Sequence, residues 1–350
     1  MRLKLLPSVA LLIALGPGLQ PTRGASAAHD TSPQQPQRPQ GAPAAPATTA
    51  WPDAPAPVRI RFIGSLTPQI AQGKPSAIGR LWRTLVGGSE TPPMRQPYGV
   101  SVARGGKLYV TDVVGGTLHV FNLLKRGYSR IETGGESLVG IAARDDLLYV
   151  TDSVLARVTC LRQNGEKLWS IGRAEGLQRP TGIVATADRL YVVDTLASHV
   201  LELGPRGAIV RQFGGRGEGP GQFNYPTSIA ADREGRLYVT DTLNFRIQIF
   251  SPDGQFRSAF GKLGDGSGDL NRPKGIGVDS DGNIHVVEGL HDVGQIFSRE
   301  GRFLLAYGES GSGPGQLWLP TGMAIADDAI YVADSANARI QIYQYLRERR

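Results

Sequence analysis

Little in this 350-residue chain points to covalent or redox chemistry. Its one cysteine, Cys160, excludes an intrachain disulfide, and it lies too far from any cleavage site to carry a lipid anchor. No G-x-S-x-G elbow, H-E-x-x-H pair or G-K-S/T phosphate loop occurs, so the usual serine-hydrolase, zinc-peptidase and nucleotide-binding signatures are missing. Histidine is scarce at five residues. Long hydrophobic runs are also lacking: the apolar stretch at residues 5–15 is interrupted by Pro7 and followed by Gly16, too short to span a bilayer. With Arg2 and Lys4 before it and Ala25-Ser26-Ala27 after it, that stretch reads as a secretory signal peptide over residues 1–27. The mature chain is then expected outside the cytoplasm, periplasmic or extracellular, with no transmembrane segment. The formal charge of +7 falls to +4 once Arg2, Lys4 and Arg23 are removed, and the remaining cations are scattered, which argues against nucleic acid as a partner.

What the chain does have is repetition. LYVTD (108–112), LYVTD (148–152), LYVVD (190–194), LYVTD (237–241), IHVVE (284–288) and IYVAD (330–334) end on Asp112, Asp152, Asp194, Asp241, Glu288 and Asp334, spaced by 40, 42, 47, 47 and 46 residues. That period suits four-stranded propeller blades. In the fourth repeat a small apolar strand over residues 228–231, a polar turn, a strand over 237–240, a strand over 246–250 with period-two alternation, a Ser251-Pro252-Asp253-Gly254 turn and a strand over 255–260 follow in order. The sixth repeat stops after its third strand, and residues 58–63 have strand content with nothing else to pair with. The expected fold is an all-β, six-bladed propeller over residues 92–350, closed by that N-terminal strand completing the last blade. A closed ring of this size is expected to be monomeric.

The blades resemble NHL repeats, whose pattern runs P-x-G-I-A-V, L-Y-V-A-D, N-x-R-I-Q-V-F and then F-G. The fit is best at residues 240–248 and 333–341 and departs at Gly115, Gly116 and Thr117 of blade one and at Glu288 and Val293 of blade five. The resemblance implies a scaffold that hosts many functions, among them RNA binding by intracellular NHL propellers and metal-dependent chemistry by amidating lyases and lactonase-like propellers. For a histidine-bound zinc site the candidates are His119, His199 and His291, although they stand seven, five and three residues after their repeat acids and so are not at equivalent positions. A calcium loop at Asp265, Ser267 and Asp269 lacks the expected bidentate Glu. No cofactor is therefore expected. The repeat acids themselves read as structural acceptors for backbone N–H groups, paired with Arg157, Arg246 or Arg339.

Function is sought where the blades differ. The segment before each first strand and the turn after each second strand emerge on one face, which would carry Arg95, Tyr98, Arg179, Tyr225, Arg272, Lys274 and Trp318. Guanidinium and aromatic groups at a channel mouth suit a protein or glycan partner; the same residues could equally do no more than solvate loops. A non-catalytic binding or assembly module is the leading expectation, with the metal-dependent lyase or hydrolase and the RNA-binding propeller as alternatives. Ahead of the ring, residues 28–57 hold eight prolines and few apolar side chains, which predicts a disordered linker. Residues 78–86 carry apolar residues at helical spacing, which predicts a short amphipathic helix packed on its own domain.

Overall fold

The computed structural model describes residues 49–53, 55–72 and 93–347. The signal segment and the helix expected at 78–86 lie outside these residues. Five of the sheets are four-stranded, each running in sequence order from an inner to an outer strand, and the sixth joins the two ends of the chain. In that last sheet the strand β2 (Ile60–Leu66) pairs antiparallel with Arg339–Tyr345 and supplies the missing outer strand. The fold is an all-β, six-bladed propeller closed by its N-terminal strand.

The expectation of a linker reaching residue 57 is corrected at its C-terminal end. A two-residue strand, β1 (Ala50–Trp51), pairs with β2 through Ala50↔Arg61 and Trp51↔Ile60. Composition averaged over a proline-rich window hides the one side chain that matters there. The Trp51 ring packs at 6.3 Å from Tyr307 and 5.8 Å from Tyr343, closing the apolar seam between blades five and six.

Each blade is a twisted sheet that buries little alone, and the core accordingly falls into clusters at the blade interfaces. Tyr109 and Val120 of blade one pack with Ile141 and Val150 of blade two, for example, and Val192 and Leu201 of blade three pack with Ala142 and Val158 of blade two. The apolar alternation of the second and third strands thus serves two neighbours at once. By contrast the outer strand Ile209–Gly214 is almost wholly exposed.

At the axis the limit is space. The third residue of each inner strand is Gly99, Gly140, Gly182, Ser228, Gly275 or Gly322. A Cβ on Gly140 would stand 2.1 Å from the Thr181 carbonyl oxygen, and one on Gly322 would stand 2.1 Å from that of Tyr98. Hydroxyl groups then latch one blade to the next. Thr111 donates to Val139 O at 3.0 Å, Thr151 to Thr181 O at 2.6 Å, Thr195 to Pro226 O at 2.7 Å and Thr242 to Pro273 O at 3.0 Å, and Ser335 donates to Pro97 O. Blade five has Val287 and Gly289 at the corresponding positions and so has no hydroxyl to offer.

Replacing Gly140 or Gly322 by alanine is expected to destabilise the fold by about 1–3 kcal/mol through overpacking. The control Gly64→Ala, where an added Cβ meets nothing within 4 Å, should stay within about 0.5 kcal/mol. Equilibrium unfolding in urea checks both; equal costs at the three sites would contradict the packing argument.

Candidate functional site

The segments before the inner strands lie against the turns after the second strands, bonded through Val113 N to Gln96 O, Leu243 N to Asn224 O and Gly289 N to Arg272 O. This common face surrounds the mouth of the central channel. The channel encloses about 60 Å³ and is lined by the inner strands, including the Tyr98 and Lys274 side-chain positions, enough room for ordered water but not for a drug-sized ligand. At this end of the ring a sizeable ligand would sit at the mouth and not within the channel; a cavity of about 360 Å³ lies on the opposite face, between Asp232, Asp279, Arg299 and Asp328.

Two ring positions set the chemistry of that mouth. The residue after the leading Pro or Leu of each inner strand is Tyr98, Val139, Thr181, Thr227, Lys274 or Thr321, and the residue before it is Gln96, Ser137, Arg179, Tyr225, Arg272 or Leu319. The structure brings Tyr98, Arg179, Tyr225, Arg272 and Lys274 together. Arg179 donates through Nη1 to the Tyr225 hydroxyl, with its guanidinium 5.8 Å from the centre of that ring. Tyr225 has φ of 59°, a left-handed conformation uncommon outside glycine. Burial raises the Tyr98 phenol above its ordinary pKa, with Arg179 opposing the shift and Tyr225 reinforcing it. Burial likewise lowers the Lys274 ammonium, helped by the charges of Arg272 and Arg179 and partly offset by Glu288.

Arg95 and Trp318 stand one residue further from the axis. Their backbone N–H groups each donate to a repeat acid at 2.7 Å, Asp112 and Asp334 respectively. Among the described residues no contact joins their side chains to the five at the mouth, so the sequence-expected face divides into an inner cluster and two rim residues.

Each repeat acid organises the turn beside it. Asp152 accepts from the backbone of Glu136, Ser137, Val154 and Leu155, and Asp194 from that of Gln178, Arg179 and Ala197. Glu288 accepts from Arg272, Leu290 and His291. Asp241 instead takes Asn244, Arg246 and Gln248 at 2.8, 2.8 and 3.1 Å in addition to Asn224 N. The pairing expected of Arg157 is corrected: it donates to Gly134 O, because the Asp152 oxygens are already occupied by backbone N–H groups.

The sequence comparison agrees with the geometry. Residues 223–250 and 317–343, in blades four and six, match the NHL repeat. The chain is a six-bladed β-propeller with NHL repeats in its fourth and sixth blades. Among solved structures it is similar to a protein of unknown function from Bacteroides thetaiotaomicron, with 13% identity, TM-score 0.60, and coverage of 73% of this chain and 70% of that one. It is similar also to virginiamycin B lyase from Staphylococcus aureus, with 16% identity, TM-score 0.55, and coverage of 72% and 96%. A third is an auxiliary nutrient binding protein from Bacteroides thetaiotaomicron, with 13% identity, TM-score 0.58, and coverage of 72% and 70%. At these identities the likeness is one of fold.

The NHL pattern N-x-R-I-Q now has a physical role. In blade four Asn244 Nδ2 donates to Gly217 O, Arg246 to Glu218 O, Gly219 O and Gln222 O, and Gln248 Nε2 to Gln222 O. Asn337, Arg339 and Gln341 do the same for residues 311–316 in blade six. The glycine-rich connections at residues 214–221 and 308–315 are thus strapped by side-chain donors.

That scheme accounts for the three histidines. Counted from the repeat acid, His291 occupies the Asn position, His199 the Arg position and His119 the Gln position of the triad. His291 Nδ1 lies 3.0 Å from Glu288 and His119 Nε2 lies 3.3 Å from Asp112, while burial lowers the pKa of His199 against the opposing charge of Asp194. Each belongs to its own blade, and among the described residues no three His, Cys, Asp or Glu side chains are grouped to hold a metal ion. The proposed calcium loop is likewise tied internally, Gly266 N donating to Asp269 and Asn271 to Asp265. Sequence reading missed the functions of these positions because it measured each histidine's offset without asking which triad member it replaced.

A lysine held below its ordinary pKa binds its proton less readily folded than unfolded. Its penalty is therefore full below the folded pKa and vanishes as pH rises past the unfolded value. Wild-type stability should rise with pH through that window by more than that of Lys274→Met. An NMR titration of the methylated protein should place Lys274 below the ordinary lysine range; a Lys274 titration within that range would contradict the mouth's electrostatics.

Proposed function

We propose that this protein is an exported, non-catalytic binding module that holds a protein or glycan partner at the channel mouth by an anionic group. One observation carries the reading. Arg179, Arg272 and Lys274 converge at one end of the channel, and among the described residues none of them forms an ion pair. The nearest carboxylate in that electrostatic set, Glu288, is occupied by the N–H groups of Arg272, Leu290 and His291. Three like charges around the single carboxylate of Glu288 leave a net positive charge that raises the cost of keeping Lys274 charged, and an incoming carboxylate relieves it. The two phenols beside them add hydrogen bonds and apolar area for orientation.

Export is supported by the tripartite pattern of residues 1–27, and among the described residues no helix is long and apolar enough to cross a membrane. The mass of the chain recovered from a secreting host should correspond to loss of those residues.

The binding test compares polyglutamate and oligogalacturonate with uncharged dextran by calorimetric titration at low salt. At least one polyanion should bind and dextran should not, with affinity falling as ionic strength rises. Arg272→Ala and Lys274→Ala should each weaken binding by about tenfold or more, while the thermal midpoint stays near that of wild type. Polyanion binding unchanged in both variants, or no polyanion binding at all, would remove the reading.

A further inference from the structure

The turn that follows each second strand projects its tip on the same face as the mouth. Two residues after the repeat acid, that tip is Val114, Val154, Leu196, Leu243 or Leu290 in blades one to five, exposed by 39, 52, 51, 47 and 54%. Blade six has Ala336 there, but Ala336 N bonds to Trp318 O, and next to that carbonyl Leu319 is 53% exposed. Large aliphatic side chains scattered singly over a surface are ordinary; one at the same register in blade after blade is not. Nothing in the fold requires them, since their backbone groups make the turn and their side chains point away from the clusters that hold the blades.

The opposite face shows the contrast. Its turns between first and second strands carry Asp145, Asp146, Arg233, Glu234, Asp281 and Asp327, all exposed. Leu124, in a hairpin between third and fourth strands, is an aliphatic exception at 75% exposure.

We infer that the mouth face docks an acidic protein segment, whose carboxylate enters between Arg179, Arg272 and Lys274 while flanking apolar side chains lie on the aliphatic crown around it. The inference rests on the reading of the mouth as an anion site and narrows its partner from protein or glycan to protein. Charge complementarity selects the carboxylate. The crown selects the class: aliphatic tips give dispersion and area to Leu, Val or Phe side chains, whereas sugar rings are gripped by aromatic faces and polar side chains, of which the crown offers only Trp318 at its edge. An apolar ring around a central charged contact also excludes water from it, which strengthens the ionic hydrogen bonds at the centre.

The test is selection of a random dodecamer peptide library on the purified chain, followed by fluorescence titration of the recovered peptides. Oligogalacturonate is titrated in parallel. Recovered sequences should hold an Asp or Glu within two residues of Leu, Ile, Val or Phe. Their affinity should drop about tenfold or more in Lys274→Ala, and again in the triple variant Leu196→Ser/Leu243→Ser/Leu290→Ser. That triple variant changes exposed side chains only, so its unfolding midpoint should match wild type, and its oligogalacturonate titration should be unaltered. Peptide binding that survives the triple variant overturns the inference, as does tight oligogalacturonate binding with no acidic peptide recovered; in that second case the anion site stands and only the partner class falls. Loss of every ligand's dependence on Lys274 would overturn both readings together.

Discussion

The ring depends on how closely six inner strands can approach a common axis. At the third position of those strands the neighbouring backbone comes so near that a Cβ on Gly99 would stand 2.3 Å from Val139 O, and one on Gly275 would stand 2.6 Å from Thr321 O. Small residues there let carbonyl groups of one blade meet the hydroxyls of the one before. The hydrophobic clusters between blades then fill the widening wedge outside the axis. The channel that results is narrow, and at its rim the repeat is free to vary. Blade five uses that freedom most. It lacks the hydroxyl latch and carries Arg272 and Lys274 where blade six carries Leu319 and Thr321.

Much of the architecture was legible before the structure. A repeat acid every 40–47 residues is visible because the acid cannot change without leaving several N–H groups unpaired. Closure by an N-terminal strand followed from a count of strands in the last repeat. The Trp51 clip was not legible, since one ring seated against Tyr307 and Tyr343 outweighs a proline-rich surrounding that dominates any windowed composition. The hydroxyl latches escaped too, because two positions, one on either side of the acid, share the work: Thr111 and Thr151 before it, Thr195, Thr242 and Ser335 after it.

The candidate site was half legible. Position before the inner strand placed these residues on one face, yet it could not separate Arg179, Tyr225 and Arg272 from Arg95 and Trp318, which lie one residue away and therefore one step further out. The aliphatic tips at Leu196, Leu243 and Leu290 were passed over because an exposed leucine is unremarkable in isolation. The histidines illustrate the same lesson from the other side. His119, His199 and His291 draw notice as rare residues, but each fills a different slot of one donor triad around its own acid.

The account turns on Lys274 being a recognition residue placed where the ring would otherwise have a threonine. Lys274→Thr returns blade five to the P-T-G of blades three and six, and the direct measurement is thermal unfolding and polyglutamate titration of this one variant side by side. An unfolding midpoint at or above wild type with binding weakened about tenfold or more is the result expected. A lowered midpoint with binding intact would show that Lys274 holds the ring together and that the mouth is not where a partner is read.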